Sequence, residues 1–271
     1  NKYTEAAAMF ENVIGKYSLV NNFNSIFLLA GENGPESVFE IQYSNGSATY
    51  DWGHPTRNQG NLLVQQVGVR GMSGINGMPY ADGWSTNLPT QNLASAFTAG
   101  DSRKATTIFD VAAYKTANPS FDVKYLVAPY RNTGFYDGKF LPRIGETSGQ
   151  LELNYTNNFR TIRYADVLLM AAEAHNRNNN NDGLARQYLN EVRARVNMPN
   201  ISSSGTQLTE DIWNERRLEL SCEGLRFFDL VRTGQAASFI NGFQTGKHEV
   251  FPIPQVEIDL AGGKWQQNPN Y

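Results

Sequence analysis

The chain has 271 residues, of which 40% are hydrophobic and 18% charged, enough apolar material for one sizeable core. Its 23 basic and 26 acidic residues form no basic tract that would attract nucleic acid or an anionic membrane surface. No run of about 18 apolar residues occurs, so the sequence predicts no transmembrane helix. We therefore expect a globular chain without a nucleic-acid partner.

The first part of the chain reads as a helix, a short strand and a long loop region. From Lys2 to Lys16, apolar residues recur every three or four positions, which indicates an amphipathic helix. Phe39–Tyr43 alternates apolar and polar side chains, as a half-buried strand does. From Asn45 to Leu88 the chain is rich in Gly, Asn, Ser and Pro without periodicity, and ordered loops of this length are more often functional than accidental.

Helical periodicity returns strongly at Ile162–Asn176 and at Leu184–Val196. The two segments and the Asn-rich turn between them have the length of a tetratricopeptide-like hairpin. A third helix is expected to begin at Thr209, as an N-cap residue followed by acidic side chains. The last segment, Phe251–Tyr271, contains three prolines and is expected to be an extended tail laid against the helices.

The segment Asn214–Arg232, NERRLELSCEGLRFFDLVR, alternates charged and apolar residues too regularly for a solvated helix face. On helices, its spacings of three and four place opposite charges within reach of each other, including Glu223 with Arg226 and Asp229 with Arg232. Guanidinium and carboxylate groups then form forked contacts between turns. The predicted structural ion-pair residues are Arg216, Arg217, Glu219, Glu223, Arg226, Asp229 and Arg232.

The residue types that bind metals or act as nucleophiles are sparse. Cys222 is the only cysteine, so it forms no internal disulfide, and without a nearby His we expect a buried, inert thiol. The three histidines match no metal-ligand spacing. The turn Asn178–Gly183 imitates the start of a calcium-binding loop, but Leu189 stands where the bidentate acid is required. We predict no metal site and no cofactor.

A glycoside hydrolase needs two carboxylates that face each other across a cleft. None of the acids in the loop-rich region sits in a recognisable acid/base context, and arginines near the acids of Asn214–Arg232 favour their ionised form. The hydrolase interpretation therefore has the weakest support, and no catalytic residue is predicted. The loop-region acids considered are Asp51, Asp82, Asp101, Asp110 and Asp137.

Aromatic residues in the loop region suggest binding instead. A sugar ring presents an apolar C–H face to a flat aromatic side chain, and Asn, Asp, Gln or Arg at the edge bind its hydroxyl groups. The region Tyr43–Trp84 combines both kinds of residue. The alternative is that Trp52 and Trp84 only fix the loops to the helical body.

Five motifs in a fixed order resemble the C-terminal half of SusD/RagB-type proteins. The segment 215–232 is the longest of them. The opening YTEAAAMFENVIGKYSLVNNFNSIFL and the segment NLPTQNLASAFTAGDSRKATTIF extend the resemblance over nearly the whole chain. The other four motifs are RYADVLLMAAEA at 163–174, LNEVRARV at 189–196, FPIPQVEI at 251–258 and QNPNY at 267–271.

This resemblance implies a mainly α fold, a SusD-like helical assembly with tetratricopeptide-like hairpins, long ordered loops and minor short β-strands. We expect residues 1–271 to form one compact unit: a helix and short strand in 1–45, a variable ligand region in 46–158, and helical motifs with an extended tail in 159–271. Family members are longer and begin with a lipoprotein signal peptide and a further helical region. The chain is therefore expected to correspond to a C-terminal portion.

The resemblance also implies a function. Family members are lipid-anchored on the outer face of the outer membrane, are not enzymes, and pass glycans to a SusC-like TonB-dependent transporter. We expect non-catalytic binding of an oligosaccharide or polysaccharide, with membrane attachment only through a lipid anchor on the missing N-terminus. The alternative is a transporter-docking module with peptide or other nutrient cargo. The expected carbohydrate-binding residues are Trp84 and Trp52 for stacking, Tyr50 and Tyr80 as secondary surfaces, and Asn58, Asn76 and Asp82 for hydroxyl groups.

Overall fold

The structure, a computed structural model, describes residues 2–45, 59–127, 132–146, 155–178 and 181–271. The described residues are mostly helical with a few short strands, which confirms the predicted fold class. No helix among them is long and apolar enough to cross a bilayer. The chain divides into two compact units, Asn1–Glu223 and Gly224–Tyr271.

The first unit begins with a helix, as predicted, and contains the predicted helical hairpin. Its strands form two separate antiparallel pairs, with Glu40 opposite Arg160 in one and Phe109 opposite Tyr136 in the other. The helices are α1 (Tyr3–Glu11), α2 (Leu62–Val67), α3 (Gln91–Ala94), α4 (Arg103–Thr107), α5 (Val111–Ala117), α6 (Tyr164–Arg177), α7 (Asp182–Arg195) and α8 (Gly205–Glu219). The strands are β1 (Ser37–Ile41), β2 (Ile108–Asp110), β3 (Phe135–Asp137) and β4 (Phe159–Arg163).

The main core lies between α6, α7 and α8. The apolar stripes of the three helices meet there, and Leu168, Leu189 and Ile212 have no exposed surface. Side chains that follow α1, including Tyr17 and Leu19, pack against the same cluster. The helical periodicity of the sequence therefore located the core correctly.

The start of α8 differs from the prediction. The helix begins at Gly205, and Thr209 is a buried residue in its second turn whose hydroxyl donates to Asn176 Oδ1 at 2.5 Å. The backbone N–H of Gly205 donates to Asp182 Oδ2 at 2.7 Å, at the start of α7. A side chain distant in sequence thus satisfies a donor at the end of the helix that a local cap would otherwise satisfy.

The loop-rich region has a small apolar core of its own. Val69, Met72 and Met78 pack there with residues of β3, α5 and the segment after β3, such as Tyr136 and Leu141. The described part of the region is therefore anchored by buried side chains although its sequence lacks periodicity.

The second unit contains α9 (Arg226–Arg232), α10 (Ala236–Phe239) and α11 (Gln255–Leu260). The prediction of a wholly extended tail is wrong, because α11 lies within it. Gln267 fixes the tail by accepting from the N–H of Ile253 at 2.8 Å and donating to its carbonyl at 2.8 Å. This contact joins the segment 251–258 to the segment 267–271.

Candidate functional site

The segment 81–86 is pinned against the end of α2. The N–H of Gly83 donates to the Val69 carbonyl and that of Ser85 to the Gly68 carbonyl, both at 2.9 Å. A Cβ atom on Gly83 would lie 2.3 Å from Cα of Gly68, so the two backbones approach to a distance that only glycine permits. The position of Trp84, the next residue, is fixed by this contact.

The backbone of Trp84 is held on both sides. Its N–H donates to the Gln65 carbonyl at 2.8 Å, and its own carbonyl accepts from Nε and Nη2 of Arg70 at 3.1 and 2.8 Å. The residue as a whole is half-buried. Arg70 was not among the predicted binding residues, because the residues between it and Trp84 contain no periodic signal.

Asp82 lies at the edge of the same loop and is exposed. Its Oδ1 accepts from the N–H of Gly71 at 2.5 Å, and the carbonyl of Arg70 accepts from the N–H of Leu126 at 2.9 Å. Leu126 is 49% exposed. We call Arg70, Asp82, Trp84 and Leu126 the Trp84 surface, since it combines an indole, an apolar side chain and two exposed charged groups.

Tyr80 and Asn76 belong to the same loop region but contact another segment. The ring of Tyr80 lies 5.1 Å from that of Phe109 and 5.3 Å from that of Tyr114. Nδ2 of the exposed Asn76 donates to the Ser120 carbonyl at 2.7 Å. Both side chains therefore have structural contacts, and their role in binding stays a prediction.

Three other predicted binding residues, Trp52, Tyr50 and Asn58, lie outside the described residues. The same is true of Asp51, one of the acids weighed for hydrolysis. The structure therefore relates only part of the predicted surface to Trp84.

The four described loop-region acids each have a structural contact. Asp82 holds Gly71, Asp101 pairs with Arg103, and Asp110 caps α5 by accepting from the N–H of Ala113. Asp137 is 2% exposed, and burial raises its pKa to about 7. A raised pKa suits a general acid, but a carboxyl group this deeply buried is not accessible to a glycan.

The predicted ion-pair residue Glu219 lies at the centre of a buried charge network. Its carboxylate accepts from Arg103 at 3.1 Å, Arg163 at 3.0 Å and Arg195 at 2.5 Å. Burial alone would raise the pKa of Glu219, but the guanidinium groups of Arg195, Arg163 and Arg103 hold it well below its usual range. Glu219 therefore stays ionised in the core and joins three distant parts of the first unit.

Glu223 extends this network from the turn after α8. It binds Arg163 through both carboxylate oxygens, at 2.7 and 2.8 Å, and Nζ of Lys139 at 2.6 Å. Burial raises its pKa, and the charges of Arg163 and Lys139 more than reverse that effect. Glu223 lies outside a helix, so the helical spacing to Arg226 that the sequence suggested does not apply.

The remaining predicted ion-pair residues have separate partners. Arg216 donates to Asp166 Oδ1 at 2.6 Å, and Arg217 donates to the side-chain oxygen of Asn92. In the second unit, Nε of Arg232 donates to Asp229 Oδ1 at 2.7 Å, three residues earlier, and the guanidinium of Arg226 lies 5.4 Å from the Phe239 ring.

Cys222 lies in the turn after α8 at a positive φ of 67°. Burial and the neighbouring Asp137 raise the pKa of its thiol. Within the described ranges, no group of three His, Cys, Asp or Glu residues is arranged to hold a metal ion.

Comparisons with known proteins agree on one family. The SusD family model matches residues 127–249. SusD-like protein P2 of Formosa agariphila is 26% identical over 261 residues, covering 87% of this chain and 48% of that protein. The chain is SusD-like.

Solved structures of SusD-like proteins resemble the whole chain. Surface glycan-binding protein A from Bacteroides thetaiotaomicron, in complex with laminarihexaose, is 31% identical with a TM-score of 0.86, covering 100% of this chain and 60% of that chain. A laminarin binding SusD-like protein is 34% identical with a TM-score of 0.87, and the match covers 100% of this chain and 59% of that chain. The SusD-like chain spans about half the length of the curated relatives it matches, 48% and 45% of two of them.

The family match and the Trp84 surface lie in different parts of this SusD-like chain. The matched range, 127–249, contains Glu219, Glu223, Arg163 and Lys139 of the charge network. The four residues of the Trp84 surface all precede it. Part of the network therefore lies within the matched range, whereas the candidate site lies outside it.

Proposed function

We propose that this SusD-like chain binds a glycan without cleaving it, and that the Trp84 surface is part of the site. The observation that carries the proposal is the half-buried Trp84, whose backbone is held by the exposed Arg70, with the exposed Asp82 two residues before it. An indole offers a flat apolar face for a sugar ring, and the charged groups at its edge bind hydroxyls.

Laminarin-type oligosaccharides are the first ligands to test. Two similar solved proteins, which cover the whole chain, are named for laminarihexaose and laminarin. The predicted contributions of Trp52, Tyr50, Tyr80, Asn58 and Asn76 remain part of this proposal.

We also propose that the protein acts at the extracellular face of the outer membrane, lipid-anchored in its full-length form, and delivers glycan to a SusC-like TonB-dependent transporter. The family membership supports this role. Affinity purification of the tagged protein from outer membranes, with mass spectrometry, is expected to recover a transporter of that class in stoichiometric amount. Recovery without such a transporter would contradict the partnership.

Calorimetric titration tests the binding step. The chain is titrated with laminarihexaose and with a panel of plant, host and microbial oligosaccharides, and each mixture is then incubated and analysed for shorter products. The proposal predicts saturable binding of at least one glycan and unchanged oligosaccharide length. Folded protein that binds none would favour the docking alternative, and shortened products would favour a hydrolase.

A further inference from the structure

Arg70 is a fixed donor beside Trp84. Nε and Nη2 of its guanidinium hold the Trp84 carbonyl at 3.1 and 2.8 Å, which immobilises the planar group. Its backbone N–H donates to Ser85 Oγ at 2.9 Å and its carbonyl accepts from Leu126, so the main chain is fixed as well. Nη1 has no hydrogen-bond partner among the described residues. It is therefore positioned to donate to a bound molecule.

Asp82 is the matching acceptor. Its Oδ1 is held by the N–H of Gly71, the residue that follows Arg70, while its Oδ2 has no hydrogen-bond partner in the described part of the chain. Asp82 also lies two residues before Trp84, the residue whose carbonyl Arg70 holds. The two contacts place a cation and an anion beside the backbone of the 81–86 segment that carries Trp84.

We infer that Arg70 and Asp82 form a donor and acceptor pair that selects neutral glycans over those that carry carboxylates. The inference rests on the proposed glycan-binding function and specifies its ligand class. A neutral sugar supplies hydroxyl groups that accept from Arg70 and donate to Asp82. Both charges are then satisfied by one uncharged ligand.

A carboxylated sugar does not fit this pair equally well. Its carboxylate is attracted to Arg70 but is repelled by Asp82, which holds the neighbouring backbone. Lys124 and Asp122, which lie on the described part of the adjoining segment, form an exposed pair at 3.2 Å and add no net charge. These four groups, all among the described residues, together carry no surplus positive charge that would attract an acidic polysaccharide.

The test compares laminarihexaose with the same hexasaccharide after its primary hydroxyls are oxidised to carboxylates, by calorimetric titration. The variants are Arg70→Gln and Asp82→Asn, with Arg143→Gln as the control, since Arg143 is another loop-region arginine and holds the Leu141 carbonyl. Thermal unfolding of each variant verifies folding.

The wild type is expected to prefer the neutral hexasaccharide by about tenfold or more, because Asp82 accepts a hydrogen bond from a hydroxyl group but repels a carboxylate. Arg70→Gln is expected to lower the affinity for the neutral hexasaccharide about tenfold and to lower the affinity for the oxidised hexasaccharide by more than that. Asp82→Asn is expected to change the preference in the opposite direction, towards the oxidised ligand, and Arg143→Gln to change neither.

Two results are distinguishable. A wild type that binds no glycan would contradict the proposed function itself. A wild type that binds laminarihexaose through Trp84, but binds the oxidised form equally well or keeps the same preference in both variants, would overturn the inference alone. If Arg70 had a purely structural role, Arg70→Gln would lower the affinity for both ligands by the same factor.

Discussion

Arg163, the last residue of β4, donates through Nη1 to Oε1 of Glu219, the last residue of α8, at 3.0 Å, although 56 positions separate them. Both side chains are almost completely buried, at 1% and 0% exposure. A buried ion pair contributes little relative to an apolar replacement of the same shape, but the loss of one partner leaves an uncompensated charge. The stability of the protein should therefore fall when a single charged residue of the network is replaced by a neutral one.

Glu219→Gln is expected to lower the free energy of unfolding by about 3–5 kcal/mol, because three guanidinium groups lose their shared counter-charge. Urea denaturation measures this change. Glu210→Gln on the exposed side of the same helix is the control, and its midpoint should stay within experimental error of the wild type. Equal midpoints for both variants would show that the network is not required for stability.

The buried carboxyl group of Asp137 should make the stability of the protein depend on pH. Burial raises its pKa to about 7 in the folded state from its ordinary value of 3.8, so the folded protein binds the proton more tightly than the unfolded chain does. Its contribution to stability is fully present below about pH 4 and is lost as the pH rises to about 7, by about 1.4 kcal/mol per pH unit at most.

Asp137→Asn is expected to remove this part of the slope between pH 4 and 7. Urea midpoints measured across that range, with the exposed Asp122→Asn as a control, test the expectation. A slope that is the same in Asp137→Asn and in the wild type would contradict the raised pKa.

Gly83 couples stability to the candidate site. Gly83→Ala places a Cβ 2.3 Å from Gly68 Cα, so the two segments must separate, and both the unfolding midpoint and the glycan affinity are expected to fall. Gly183→Ala is the matched control: its Cβ would meet nothing within 4 Å and it lies in α7, so it should stabilise the protein by about 0.5–1 kcal/mol without affecting binding. Unchanged affinity in Gly83→Ala would show that this close approach does not position Trp84.

The sequence predicted the helices whose apolar residues repeat. The hairpin α6 and α7 was located to within two residues at each end, because local periodicity and burial agree there. The charged segment that begins in α8 was interpreted as structural from its alternation of charged and apolar residues, and in the structure Glu215 and Glu219 continue the buried stripe of Leu208 and Ile212.

The partners of those charges could not be predicted. The residues that bind Glu219, namely Arg103, Arg163 and Arg195, come from three other elements, and only tertiary packing brings them together. Arg70 was missed for the same reason, since its contact with the Trp84 carbonyl depends on the close approach of Gly68 and Gly83. The α11 helix was missed because the prolines around it dominate the local pattern.

The most direct test of the proposed site is a calorimetric titration of laminarihexaose into the wild type, Trp84→Ala and Trp265→Ala. Trp265 is 54% exposed and lies in the second unit, so its substitution removes an accessible indole outside the candidate site. We predict that Trp84→Ala weakens binding at least about tenfold, as expected for a tryptophan that supplies a main contact, while Trp265→Ala binds as the wild type does. Equal affinity of the wild type and a correctly folded Trp84→Ala would contradict the assignment of the glycan site to the Trp84 surface.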